Sequence, residues 1–194
     1  MSTHIWMEPT HMHFHTGHVA QIKLYRGEMM LPQSPTDKVF TLKLYKPDGT
    51  VENMTMGEVK EDYFLISFDP PTEGFYNLTA NDGEGGHAKI IVPVGHHLQG
   101  SVASVGEGLE ITPGMVQDYR LNDTINISVL AGGKPLAGAE IKATYHFYDG
   151  NDYPHTITTD AEGQAEFTFP AKGHWMFAVT NEGQTATYVV MGVR

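Results

Sequence analysis

Apolar positions along this chain recur in short alternating or continuous runs about 8–12 residues apart, and nowhere does a helical period hold for more than about two turns. That pattern predicts strands. In the first half they fall at 19–25, 39–45, 64–68, 74–80 and 88–94, and in the second at 124–130, 140–147, 155–159, 165–169, 174–180 and 184–190. The turns between them carry Pro47-Asp48-Gly49, Pro70-Pro71, Asn81-Asp82-Gly83, Gly132-Gly133, Asp149-Gly150, Glu162-Gly163 and Glu182-Gly183. Such sequences preset φ for a turn or tolerate positive φ.

The economical fold is all-β, with two antiparallel β-sandwiches of the immunoglobulin-like or prealbumin-like kind. Residues 1–98 would form the first and carry the N-terminal segment, and residues 99–194 the second. The boundary falls between Val94 and Thr112, where Gly95, Gly100, Gly106 and Gly108 interrupt any regular pattern.

Composition narrows the chemistry. Cysteine is absent, so disulfides, zinc-thiolate sites, iron–sulfur clusters and thiol nucleophiles are all excluded. The formal net charge is −11 and both halves are acidic, which argues against nucleic acid as a partner and favours cations. No run of eighteen apolar residues is present to give a membrane-spanning segment.

Histidine is the feature that composition does not explain. Five of the eleven histidines, His4, His11, His13, His15 and His18, lie in the first eighteen residues. Imidazole is the commonest protein ligand for late first-row transition metals, so this density points to metal. With Met1 removed, the Ser2 amine, two amide nitrogens and the His4 imidazole could wrap a square-planar Ni(II) or Cu(II). His11, His13 and His15 alternate with Met12 and Phe14, and an extended chain would put all three imidazoles on one face. His96 and His97, in the boundary stretch, are further candidates, of which at most one can share a face with the N-terminal site. His146, His155 and His174 read as ordinary surface or core histidines. The interruption by Trp6, Pro9 and Phe14 distinguishes the segment from an expression tag.

Two resemblances add to this reading. Gly133-Lys134-Pro135-Leu136-Ala137-Gly138-Ala139, followed by Thr159-Asp160-Ala161-Glu162-Gly163 and Gly173-His174-Trp175, resembles a carboxypeptidase-regulatory or prealbumin-type immunoglobulin-like module, which implies a scaffold. His4-x-Trp6-x-Glu8-Pro9, then Gly17 and an apolar strand ending at Gly27, resembles the additional periplasmic components of nickel and cobalt importers, the NikM- and NikK-like group. That resemblance implies nickel binding through a near-terminal histidine, a role it gives to His4 alone. The other histidines rest on spacing.

The expectation is therefore a periplasmic, non-enzymatic protein that binds Ni(II), with Co(II), Cu(II) or Zn(II) as other cargoes, and delivers it to membrane importer subunits. His4, His11, His13, His15, His18, His96 and His97 are its candidate ligands. Met1 directly before Ser2-Thr3-His4 reads as a start codon in place of a removed leader. Two alternatives accompany this reading. One is a copper chaperone using Met7, Met12, Met29 and Met30 beside the histidines. The other is a structural or adhesive pair of immunoglobulin-like domains. Neither a His-x-x-Glu-His helix nor a nucleophile elbow is present, so no enzyme is expected.

Overall fold

A computed structural model describes residues 3–36 and 39–194, and these form sixteen strands and no helix. The all-β prediction holds, and β6 (Phe64–Phe68) coincides with its predicted run.

Three sheets contain the strands. The first groups β1 (His4–Pro9), β3 (Leu31–Pro32) and β6 around β2 (Ala20–Glu28). The second groups β9 (Leu109–Pro113), β11 (Lys134–Pro135) and β14 (Gln164–Thr168) around β10 (Thr124–Ala131). The third has eight strands, in the order β13 (His155–Thr158), β12 (Glu140–Tyr145), β15 (Gly173–Asn181), β16 (Gln184–Val193), β8 (Gly86–Val94), β7 (Gly74–Asn81), β4 (Thr41–Tyr45) and β5 (Val51–Met54). Strands from both halves of the chain thus join one sheet, which the sequence reading does not anticipate. The join is the parallel pairing of β8 with β16, where Thr185 faces Gly86 and Tyr188 faces Lys89.

Each half of this long sheet is covered on a different side. Ala88, Ile90, Val92 and Val94 of β8 face a core with Ile5, Met7, Ile22, Leu24 and Ile66 from the first sheet. Ile91 of β8 and Ala186, Tyr188 and Val190 of β16 face a second core with Ile111, Ile125, Ile127 and Val129 from the second sheet. Strands buried on both sides need apolar residues at consecutive positions, and Ile90-Ile91-Val92 and Tyr188-Val189-Val190 supply them. Trp175, one of the largest side chains of the second core, is fully buried, and its indole N–H donates to the Ala171 carbonyl at 2.9 Å.

β1 fastens the halves together. Ile5 and Met7 enter the first core, while Trp6 packs on Met176 and Val189 of β15 and β16. The Thr187 hydroxyl, buried in β16, donates to the Ile5 carbonyl at 2.6 Å. On the other side, Lys89 of β8 meets Glu110 of β9 at 2.6 Å, with side chains only 4% and 3% exposed. Burial pushes the Lys89 ammonium below the usual lysine range, and the Glu110 carboxylate opposes that shift. Glu110 also accepts from Thr112 and from the amides of Val105 and Gly106, so the buried charge is fully solvated by protein.

Replacing Thr187 by Val preserves shape but strands a buried carbonyl. The expected loss is about 1–3 kcal/mol of unfolding free energy, measured by urea denaturation. A loss within about 0.5 kcal/mol would show that the hydroxyl does not tie β1 to β16.

Candidate metal centre

β1 presents alternate residues to opposite sides, and this explains the His4-x-Trp6-x-Glu8 spacing. Ile5 and Met7 point into the first core, leaving His4, Trp6 and Glu8 on the other side of the strand. Trp6 stacks on its cross-strand partner Tyr25 at 5.4 Å between ring centres. Glu8 lies across from Lys23, and its burial raises the carboxyl above the usual range against the pull of Lys23 and a hydrogen bond to Tyr25. His4 is buried, with Nδ1 at 3.5 Å from the Tyr153 hydroxyl and its ring edge-on to Tyr153. Met1 and Ser2, whose amine the square-planar arrangement needs, lie outside the described residues. That arrangement would also draw on the backbone at the first position of β1.

The segment after β1 is not a strand. It bends at Thr10–Met12, returns to extended form only where Phe14 bridges Val94 in parallel, and turns again at Thr16-Gly17. Phe14 is the cause, because its ring is buried in the first core and the Gly95 amide donates to its carbonyl at 2.8 Å. The three imidazoles therefore do not line one strand face. His11 is exposed and edge-on to Phe14 at 6.0 Å, and His15 and His18 are exposed around a turn.

His13 is placed differently. Its Nε2 stands 3.3 Å from Asp118 Oδ2, and its ring centre is 6.2 Å from that of His97. Its Nδ1 is buried with no hydrogen-bond partner among the described residues. His96 and His97 are themselves 4.1 Å apart, and His97 holds a left-handed backbone at φ 48°. That conformation is uncommon for a residue other than glycine. Asp118 arrives because Gly100 and Val116 exchange backbone hydrogen bonds at 3.0 and 2.8 Å, folding residues 114–119 back on the linker. Asp118 was not among the sequence candidates, since nothing local marks a lone aspartate as the neighbour of a histidine a hundred residues earlier. The structure thus sets His13 against Asp118 and brings the His97 ring near that of His13, with His96 packed on His97, and leaves His4, His11, His15 and His18 elsewhere. Among the described residues no three His, Asp or Glu side chains stand ready-made around a single point.

The other imidazole pair is closed to metal. His146 and His174 stack at 4.5 Å, and each Nδ1 accepts a backbone N–H at 2.8 Å, from His174 and Gly192 respectively. An Nδ1 held as acceptor fixes the proton on Nε2, which removes that lone pair from ligation. The methionines near the N-terminal histidines are largely spent on packing: Met7, Met29 and Met30 are buried.

Residues 84–183 match the model of a domain of unknown function, DUF4198. The chain belongs to this family. The matched span of this DUF4198 protein runs from β8 through β15 and so includes the Lys89–Glu110 pair, His96, His97 and Asp118. No curated protein matches it. Among solved structures, the native conformation of E. coli alpha-2-macroglobulin is 14% identical, with TM-score 0.38, over 100% of this chain and 14% of that chain. The D0–D1 domain of intimin is 12% identical, with TM-score 0.33, over 98% of this chain and 97% of that one. A biofilm-associated protein BSP domain is 16% identical, with TM-score 0.30, over 95% and 29%. The chain thus spans a small fraction of the alpha-2-macroglobulin it is similar to.

The histidine pair makes a pH prediction. Burial first, and His146 second, hold the His174 imidazole below its ordinary range. The unfolded chain then takes up the proton before the folded one. Its contribution to stability is complete above the unfolded pKa of about 6.5 and is lost as pH falls through that value toward the lowered folded one. Urea midpoints measured at about pH 7.5 and about pH 5.5 should separate clearly in the wild type and less in His174→Asn, whose Oδ1 can accept from Gly192 without titrating. Equal separation in both proteins would remove His174 as the source.

Proposed function

We propose that this DUF4198 protein is a non-enzymatic, periplasmic carrier of a divalent transition metal, with Ni(II) the leading cargo and Co(II), Cu(II) and Zn(II) its competitors. Its ligand set is His13 and Asp118, joined by His97 and completed by His96 or solvent. The observation that carries this reading is the 3.3 Å approach of His13 Nε2 to Asp118 Oδ2 with the His97 ring 6.2 Å away. Two donors bound to one ion at about 2.1 Å stand roughly 3.0–3.4 Å apart, which the His13–Asp118 pair already matches. Two imidazoles on one ion at the same angles have centres about 4.6–5.3 Å apart, so the His97 ring, at 6.2 Å from that of His13, joins by moving inward about 1 Å. Mixed nitrogen and oxygen donors without thiolate suit Ni(II), Co(II) and Zn(II), while the divalent affinity order favours Cu(II). Delivery to membrane importer subunits follows from the resemblance of the His4-to-Gly27 region to the periplasmic components of nickel and cobalt importers.

A structural role is the competing reading, and β1 favours it. The strand that carries the family-like motif is spent on Trp6, Ile5 and Met7 packing between the two halves.

Titration calorimetry with Ni(II) separates the possibilities. His13→Ala and His97→Ala should each weaken binding more than tenfold, about 1.4 kcal/mol, whereas His4→Ala and the His11/His15 double alanine variant should not. Loss confined to His4→Ala would instead assign the ion to the amine-anchored arrangement. Ligation displaces protons, so affinity should fall as the solution is acidified. If no variant loses tenfold, the carrier reading fails and the structural one replaces it.

A further inference from the structure

A second site lies on the part of the long sheet that the first sheet does not cover. Residues paired across strands project to the same side, so Lys43, Thr79 and Lys89 form one row across β4, β7 and β8, and Thr41, Asn81 and His87 form the next. The loop before β9 walls these rows and encloses a cavity of about 220 Å³ that Glu107 and Glu110 also line. That volume is below the ~300–1,000 Å³ of pockets for drug-sized molecules, so the occupant is small. Gly108 is required in the wall, since a Cβ there would stand 2.7 Å from the His87 ring and its φ is +60°.

Charge and hydrogen-bond capacity define what fits. Lys89 spends two of its three N–H donors, on Glu110 at 2.6 Å and Thr112 at 2.8 Å, and the third has no partner among the described residues, on a side chain that is 4% exposed. Glu110 is saturated by Lys89, Thr112 and two backbone amides, so it offers an occupant nothing. At the mouth Lys43 pairs with Glu107 at 2.9 Å, an ion pair with 32% and 55% exposure that can exchange partners at little cost. Burial pushes His87 below the usual imidazole range, leaving two positive and two negative groups around the cavity. A phosphate or simple carboxylate would leave that balance negative.

We propose that this cavity binds a small zwitterion of the α-amino acid class. Its carboxylate sits over Thr79 between the Lys89 and Lys43 ammonium groups, and its ammonium takes the place of Lys43 on Glu107. This site is independent of the histidine cluster and does not rest on the metal reading.

The test is titration of the full chain with glycine and L-alanine, followed by two-dimensional amide NMR, alongside acetate and methylammonium as half-ligands. Lys89 is left in place, because its removal would leave Glu110 buried and unpaired. The variants are Glu107→Gln and Lys43→Met, both at the exposed mouth. Glycine or L-alanine should shift the Thr79, Lys89 and Gly108 amides, bind at least about tenfold more tightly than either half-ligand, and lose at least about tenfold in each variant. The proposal is overturned if neither amino acid binds at about 10 mM, if acetate binds as well as they do, or if both variants retain affinity within about threefold.

Discussion

The parallel pairing of β8 with β16 is the constraint on which the rest of the molecule depends. A parallel pair in the middle of a sheet has both sides to bury, and here each side is covered by a different sheet. One side requires Trp6 and Ile5 to lie against Val189 and Thr187, and the other requires β9 to deliver Glu110 to Lys89. Either covering layer alone would leave an apolar side of β8 or β16 exposed. The two halves are therefore two cores built on a shared sheet, and the ties between them include the Thr187-to-Ile5 hydrogen bond and the buried Lys89–Glu110 ion pair.

That arrangement also separates what the sequence makes legible from what it hides. Alternation over 64–68, 74–80 and 184–190 marks strands because each has a wet side or a clean apolar run. β1 and β9 escape the same reading. β1 is buried along nearly its whole length, so His4 and Glu8 look like ligands when they are also strand positions beside Trp6. β9 follows Gly106 and Gly108 and carries Glu110 and Thr112 in its interior, where polar residues argue locally against burial although their partner, Lys89, lies in another strand. The shared sheet itself is invisible to local pattern, since pairing of Gly86 with Thr185 is a long-range fact.

The histidines show the same division. Their abundance near the N-terminus is plain in the sequence, but their spacing over 11–15 suggests a strand that Phe14 prevents by inserting into the core. Which imidazole meets which depends on the Phe14–Val94 bridge and on the fold-back of residues 114–119, neither of which leaves a local mark. Asp118 becomes a candidate only because of that fold-back. The Lys43–Thr79–Lys89 row is equally silent in the sequence, where three separate strands contribute one residue each.

The β8–β16 pairing also sets the order of events during biosynthesis. β8 is complete long before β16 emerges, and until then one of its edges and one of its sides have no partner. Closing so long a loop is entropically unfavourable and slow, so the nascent first half waits with Ile91 and Trp6 uncovered. An uncovered edge strand with an apolar side invites pairing with another chain, and a charged lysine on that open side discourages it. Lys89, neutralised only when β9 docks, thus acts as a gatekeeper on the unfinished sheet and as a structural tie in the finished one.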